Sequence, residues 1–245
     1  MTIVMNHVTR INGAGSSAPK MVLNDVSMAF PEGLTMGILS VRGMGKSSLI
    51  RVLAGVLPTT YGQVLRRGLV SFPIGSFGWM HRHMSGRENM RFIARIYNLE
   101  PRPIVDFVGD VSGLGPSYDQ PVASYSGEKR ARLAFSASYA IPFDIYLADE
   151  FMIGGPPPFR DLCRTLVRER QRNATFILAT RSPALVRLFC DNAAVLHEGQ
   201  ITQYASVRDA VSEHARLVEA HIDSKPDEMP TPDPGFWSEE TTHAA

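Results

Sequence analysis

The sequence has little of what secreted or membrane-spanning proteins need. Its 245 residues include two cysteines, Cys163 and Cys190, which is typical of free thiols in a reducing compartment rather than of a disulfide framework. No apolar run is long enough to span a bilayer. The first residues lack the basic start and apolar block of a signal peptide. The formal net charge of +1 gives no strong field for nucleic acid. We expect a soluble protein of the cytosol with no nucleic-acid partner.

The composition also indicates one folded unit followed by a tail. The hydrophobic content of 44% is sufficient to bury a full core. Residues 223–245 differ, because they hold four prolines, six acids and almost no aliphatic side chains. We therefore assign residues 1–222 to one domain and expect residues 223–245 to be disordered.

A glycine-bearing segment, Ser40 to Ser47, lies between an apolar run at 34–39 and a helical apolar pattern at 47–57. It is one residue short of the phosphate-binding pattern G-x-x-x-x-G-K-[ST], since Ser40 takes the place of the first glycine. Strain of about 1–3 kcal/mol follows if that position requires a glycine-only conformation. An ordinary Gly/Ser turn before a helix is the alternative interpretation.

Read as a P-loop, the segment predicts a nucleotide site. Successive backbone N–H groups and the helix N-terminus attract phosphate oxygens. Lys46 is expected to reach the β- and γ-phosphates, and the Ser47 hydroxyl to bind Mg²⁺. The predicted ATP-binding residues of this segment are Ser40, Val41, Arg42, Gly43, Met44, Gly45, Lys46, Ser47 and Ser48.

Two consecutive carboxylates, Asp149 and Glu150, end an apolar run that begins at Phe143. A buried strand ends in paired acids where something cationic or reactive lies close by. In a P-loop NTPase the first acid holds the Mg²⁺ shell, and the second orients and deprotonates the attacking water. A polar strand end at the sheet surface is the alternative, but the upstream P-loop favours a site for ATP and Mg²⁺.

The remaining pattern predicts an α/β domain with a helical insertion. Helices are expected at 88–97 and 129–139, between the P-loop helix and the acid pair. A strand at 175–180, a helix at 183–190 and strands near 193–196 and 200–202 follow. We predict a P-loop NTPase with a mixed sheet as its core and a helical subdomain at about 80–140.

Three stretches carry a resemblance to a known family: 124–135 (SYSGEKRARLAF) just before the acid pair, 86–97 (GRENMRFIARIY), and Ser182-Pro183 leading to 190–199 (CDNAAVLHEG). The first resembles the signature motif of ABC-transporter ATPases. Together they look most like the ATP-binding subunits of bacterial capsular-polysaccharide exporters. The resemblance covers roughly residues 1 to 205.

The resemblance implies an assembly. Two cassettes, either two copies or one copy and a paralogue, dimerise head to tail on membrane permease subunits at the cytoplasmic face of the bacterial inner membrane. Each ATP lies between one P-loop and the signature residues of the other cassette, here Ser126, Gly127 and Glu128. Hydrolysis drives a polysaccharide, handled by the permease, across the membrane.

Several positions depart from the family pattern. Ile11 and Asn12 occupy the place of the aromatic that stacks on adenine, and His81 replaces the glutamine that links metal and water to the permease. Glu128 replaces the second signature glycine, and Arg181 replaces the switch histidine. Arginine stays charged and can clamp a phosphate in a fork. We therefore include His81 and Arg181 with Lys46 and Glu150 as catalytic candidates, and hypothesise that Arg181 and Glu128 pair across the dimer interface.

Three functions remain open at this stage. The first is an energy-coupling ATPase of a polysaccharide exporter, favoured by the retained Glu150. The second is a degenerate nucleotide-binding subunit of the same transporter, with weak or no hydrolysis, favoured by Glu128, Arg181 and the absence of the aspartate expected after Glu150. The third is a soluble ABC-type protein acting on nucleic acid or ribosomes, which the single cassette and near-neutral charge disfavour.

Overall fold

The computed structural model describes residues 3–13, 18–74, 78–150 and 156–224. For residues 222–224 it describes the backbone only. Eight strands lie in this part of the chain. They are β1 (Ile3–Asn12), β2 (Lys20–Phe30), β3 (Thr35–Ser40), β4 (Tyr61–Arg66), β5 (Ile145–Asp149), β6 (Thr175–Thr180), β7 (Asn192–His197) and β8 (Gln200–Gln203).

The strands form two sheets. The larger is mixed, with strand order β5-β6-β3-β7-β8, and only β8 runs antiparallel to its neighbour. Every residue of β3 and β6 is buried, as expected for strands covered on both faces. The smaller sheet is antiparallel, with order β2-β1-β4.

Seven α-helices accompany the sheets in the described part of the chain. They are α1 (Lys46–Leu53), α2 (Gly86–Ile96), α3 (Pro101–Ser112), α4 (Gly127–Ala140), α5 (Pro157–Gln171), α6 (Pro183–Phe189) and α7 (Val207–Ser224). Two short 3-10 helices, Gly115–Asp119 and Val122–Ser124, connect α3 to α4.

The predicted elements are present, with shifts at their ends. The strand predicted at 175–180 is β6 without change, and the helix predicted at 129–139 is the longer α4. The helix predicted to run to residue 57 ends at Leu53, because Gly55 takes a left-handed φ of 77° that a helix cannot continue. Cys190 was expected inside a helix and instead follows the last residue of α6.

Packing fixes α6 against the central strand. Gly37 of β3 faces this helix, and a Cβ at that position would lie 2.8 Å from Val186 and 2.9 Å from the Cys190 sulfur. Only glycine allows the helix so close. On the same sheet Leu49 and Leu53 of α1 are fully buried among the strands.

The helices α2, α3 and α4 follow β4 and precede β5 in the chain, and α3 packs against both α2 and α4. Their buried faces join one apolar cluster with residues of β5 and α5, such as Tyr146 and Phe159.

The domain limits at 1–222, with a helical subdomain at about 80–140, stay predictions. The helix α7 continues to Ser224, and residues 225–245 of the predicted tail lie outside the described residues.

Within the described residues, no helix combines the length and apolar character that crossing a membrane requires.

The parallel strands β3, β5 and β6 end at the same edge of the larger sheet, where Leu39 pairs with Thr180 and Asp149 with Ala179. Ligands of open α/β sheets bind at such carboxyl edges. The loops after Ser40, Asp149 and Thr180 are therefore where a site is expected.

Candidate functional site

The P-loop turns between β3 and α1 as the motif predicts. Gly43 and Gly45 have left-handed φ values of 78° and 91°. A Cβ on Gly45 would also lie 2.9 Å from both the Cβ and the carbonyl oxygen of Val22. Gly45 is thus required twice, by its backbone conformation and by the close approach of β2. Residues 41–48 line a cavity of about 390 Å³.

The condition for strain at Ser40, a backbone conformation that only glycine adopts, is not met. Ser40 is the last residue of β3, pairs with Leu196 of β7 and is fully buried in the extended strand. Its carbonyl oxygen accepts a hydrogen bond from Nε2 of His214 on α7 at 3.3 Å. A serine fits here without cost to the backbone, and Ser40, unlike residues 41–48, does not line the cavity.

The acid pair lies beside the P-loop lysine. The Nζ of Lys46 forms a salt bridge with Oδ1 of Asp149 and lies 3.4 Å from Oε1 of Glu150. All three side chains are largely buried, so their charges interact in a medium less polar than water. The lysine and the two acids therefore form one charged cluster at the edge of the sheet, although Lys46 and Asp149 are 103 residues apart in sequence.

Glu150 is held tightly by the end of β6. Its backbone has a left-handed φ of 51°, uncommon for a residue with a side chain, and its N–H donates to the carbonyl oxygen of Ala179 at 2.8 Å. The hydroxyl of Thr180 donates to Oε2 at 2.9 Å, and Nε of Arg181 donates to Oε1 at 3.0 Å. Arg181, expected to clamp a phosphate, also contacts the carboxylate predicted to activate water.

Two further polar side chains, from the strands of the smaller sheet, line the cavity. The amide of Asn12, at the end of β1, donates to the Ser48 hydroxyl at 3.0 Å. Lys20, at the start of β2, donates from Nζ to the Gly43 carbonyl at 2.8 Å. Sequence reasoning missed Lys20 and Thr180. The strand end predicted at residue 180 could have drawn attention to Thr180, but no local pattern marks Lys20.

Four predicted site residues lie away from the cavity. Ser126, Gly127 and Glu128 are exposed at the start of α4, where the Ser126 hydroxyl accepts from the Lys129 N–H. Glu128 lies 3.6 Å from Arg132 on the next turn. His81 is exposed in the loop before α2, and its backbone is held by the side chain of Asn89. The roles of these four residues remain predictions.

The donor set fits Mg²⁺ bound together with phosphate. Ser47 and Asp149 supply oxygen ligands, which hard cations prefer. Within the described residues, no group of three histidines, cysteines or acids could hold a metal unaided. Mg²⁺ is commonly held by one or two protein oxygens together with substrate phosphates and water. In such a site, Asp149 would release the Lys46 ammonium in order to bind the metal. The ammonium would then bind the phosphate.

Comparisons with known proteins agree with this geometry. The family model described as "ABC transporter" matches residues 23–152. The capsule polysaccharide export ATP-binding protein CtrD of Neisseria meningitidis serogroup B is 37% identical over 191 residues, covering 78% of this chain and 88% of CtrD. The ATP-binding protein BexA of Haemophilus influenzae is 36% identical, covering 75% of this chain and 85% of BexA. The polysialic acid transport protein KpsT of Escherichia coli is 30% identical, covering 82% and 92%.

Solved structures confirm the predicted fold class. An ATP-binding subunit of an ABC transporter superposes with a TM-score of 0.73 at 18% identity, covering 88% of this chain and all of that one. A dimeric, post-hydrolysis ATP-binding cassette bound to ADP and Pi superposes with a TM-score of 0.71 at 17% identity, covering 84% and 99%. The chain therefore belongs to the ABC transporter family, as one of its nucleotide-binding ATPase subunits.

Proposed function

We propose that this chain binds and hydrolyses ATP to drive export of capsular or related cell-surface polysaccharide across the bacterial inner membrane. The observation that carries the hydrolytic part is the cluster at the sheet edge, in which Lys46, Asp149 and Glu150 meet beside the P-loop. The similarity to CtrD, BexA and KpsT, two of which are named for polysaccharide transport, supports the cargo.

Each residue of the cluster has a proposed role. The N–H groups of residues 43–48 and the Lys46 ammonium bind the β- and γ-phosphates. Ser47 and Asp149 hold Mg²⁺, which neutralises phosphate charge when bound. Glu150 accepts the proton of the attacking water, because its carboxylate lines the cavity beside Lys46, which is proposed to bind the terminal phosphate. Arg181 is close enough to Glu150 to serve both the carboxylate and that phosphate.

The exposed residues are proposed to act across an interface. ATP-binding subunits of ABC export systems dimerise and work with membrane components. Ser126, Gly127 and Glu128 are free to face a second cassette because they lie on the surface at the N-terminus of a 14-residue helix. His81 lies in the loop before α2, where it would link the nucleotide site to the permease. We place the subunit peripherally on the cytoplasmic face of the inner membrane.

A second candidate is a subunit that binds nucleotide without effective hydrolysis. The contact that favours it is the engagement of Glu150 by both Lys46 and Arg181, which occupies the carboxylate. Glu128 would add a negative charge beside the partner's terminal phosphate, and like charges some 5 Å apart repel by about 3 kcal/mol at an effective dielectric near 20.

Complementation in the organism of origin tests the proposed function. Deletion of the gene should abolish surface polysaccharide, and the wild-type chain, but not Lys46→Ala, should restore it. The exposed Arg187→Ala variant is the matched control and should complement fully. The tagged chain should also co-purify with a membrane permease. Normal surface polysaccharide in the deletion strain would contradict the assignment of cargo.

A further inference from the structure

The P-loop is held at its two ends by different parts of the protein. Its C-terminal end continues into α1, whose Leu49 and Leu53 are fully buried among the strands. Near its N-terminal end, Val41 is buried in a separate apolar cluster together with Val211 of α7. Met44 of the loop packs against the same cluster. The helix α7 therefore supports the first half of the loop, whereas α1 supports the second half.

A hydrogen bond joins α7 to the residue from which the loop departs. Nε2 of His214 lies 3.3 Å from the carbonyl oxygen of Ser40, which ends β3 and lies 174 residues away in the sequence. A carbonyl oxygen only accepts, so Nε2 carries the proton and donates it. His214 is 4% exposed and Ser40 is fully buried, so water does not compete for this bond. The bond therefore restrains the peptide group that joins Ser40 to Val41, where the phosphate cradle begins.

This bond is the polar contact that the His214 imidazole makes in the described part of the chain. The ring is neutral near pH 7, because burial lowers its pKa. Its Nδ1 is buried and has no hydrogen-bond partner within the residues that the structure describes. A buried polar atom without a partner costs free energy, so an aliphatic side chain would fill this place at a lower cost. The contact that an aliphatic side chain could not make is the one with Ser40.

We propose that His214 is a positioning residue for nucleotide binding, which holds the start of the P-loop in the conformation that receives phosphate. The proposal rests on the nucleotide site of the proposed function and adds to it a residue from outside the cavity. Among the described residues that line the cavity, none belongs to α7, so His214 acts through Ser40 and Val41. Loss of the bond lowers the population of the binding-competent loop. The apparent dissociation constant of ATP then rises, while the groups that carry out hydrolysis stay in place.

Two amide side chains at position 214 of the full-length chain test the proposal. Glutamine places an N–H donor near the position of Nε2, whereas asparagine is one methylene shorter and does not reach the Ser40 carbonyl. His214→Asn should raise the dissociation constant of MgATP and the KM for hydrolysis by about three- to twelvefold, with kcat unchanged within about twofold. His214→Gln should stay within about twofold of the wild type. Equal dissociation constants for the two variants, or a fall in kcat at unchanged KM, would overturn the proposal.

The variant Val108→Ala controls for a loss of stability alone. Val108 is fully buried in α3 and belongs to the apolar cluster of α2, α3 and α4, not to that of α7. Its truncation leaves a cavity that destabilises the domain, and urea unfolding ranks it beside His214→Asn. Val108→Ala should keep the wild-type dissociation constant, and a rise that matches its loss of stability would overturn this inference alone. Absence of nucleotide binding by the wild-type chain would overturn the proposed function as well.

Discussion

The Nε of Arg181 donates to Oε1 of Glu150 at 3.0 Å, joining the residue after β6 to the residue after β5. The neighbouring Thr180 hydroxyl binds the other carboxylate oxygen at 2.9 Å. Glu150 is thus oriented from both sides by the end of one strand.

Arg181→Gln should lower kcat for ATP hydrolysis by about tenfold or more, because a positioned general base contributes about 10²- to 10⁴-fold. Arg181→Lys keeps the charge but loses the Nε contact, so we expect an intermediate rate. Steady-state kinetics separates orientation of Glu150, which affects kcat, from substrate binding, which affects KM. The variant Arg187→Gln, at an exposed residue, is the control. A rise in KM with unchanged kcat would show that Arg181 binds substrate without orienting Glu150.

Ser40→Gly completes the P-loop pattern, yet it should not tighten ATP binding. Ser40 already lies extended and buried in β3, so a glycine relieves no backbone strain there and costs about 0.5–1 kcal/mol of chain entropy. Removal of the buried Ser40 hydroxyl, which has no hydrogen-bond partner among the described residues, offsets this cost of folding without changing the phosphate cradle. Urea unfolding and ATP titration of the variant measure both effects. A clear gain in ATP affinity would restore the view that Ser40 strains the loop.

Gly45→Ala should destabilise the chain by more than Gly33→Ala. Both glycines have positive φ, but a Cβ meets Val22 at 2.9 Å only at Gly45, and nothing within 4 Å at Gly33. The backbone contribution alone is of order 1–3 kcal/mol. Thermal unfolding with and without MgATP compares the two. Gly45→Ala should also lose stabilisation by nucleotide, and equal behaviour of the variants would contradict the packing described.

Stability should fall as the pH decreases below about 6.5 because of His214. Burial lowers the pKa of this imidazole below its ordinary 6.5, partly offset by the hydrogen bond to Ser40. Between the folded and unfolded pKa values the unfolded chain binds more protons, so the free energy of unfolding decreases toward acid, by at most about 1.4 kcal/mol per pH unit. Urea unfolding at several pH values should show a shallower slope for His214→Gln. An unchanged slope in that variant would assign the effect elsewhere.

The sequence predicted the turn after β3 and the acid pair at the end of β5 because the signals for both are local. A strand of apolar residues must be followed by a glycine turn to make a phosphate cradle, and a buried strand seldom ends in two acids without a cation. Helices α2 and α4 were also predicted, from the apolar spacing at 88–97 and 129–139. The helix α7 was not, although Ala210, Val211 and His214 show the same spacing and are all buried.

The antiparallel sheet could not be read in the same way. Strand β4 has no buried residue, and its edge position leaves no alternating pattern to detect. The register of β1 shifts at several points, which breaks its period-two signal. The contact of Lys20 with Gly43 joins the smaller sheet to the P-loop, and the contact of Arg181 with Glu150 joins the ends of the neighbouring strands β6 and β5. These pairs lie 23 and 31 residues apart, and no local pattern encodes them.

The rate of Mg²⁺-dependent ATP hydrolysis by the purified full-length chain, measured beside its Glu150→Gln variant, tests the central claim most directly. Glutamine preserves the size of the side chain but cannot accept the proton. The account predicts measurable turnover in the wild type, a loss of about 10²-fold or more in the variant, and retained ATP binding in both. Equal rates in the two proteins, or no turnover in a wild type that binds ATP, would contradict it and favour the nucleotide-binding subunit without hydrolysis.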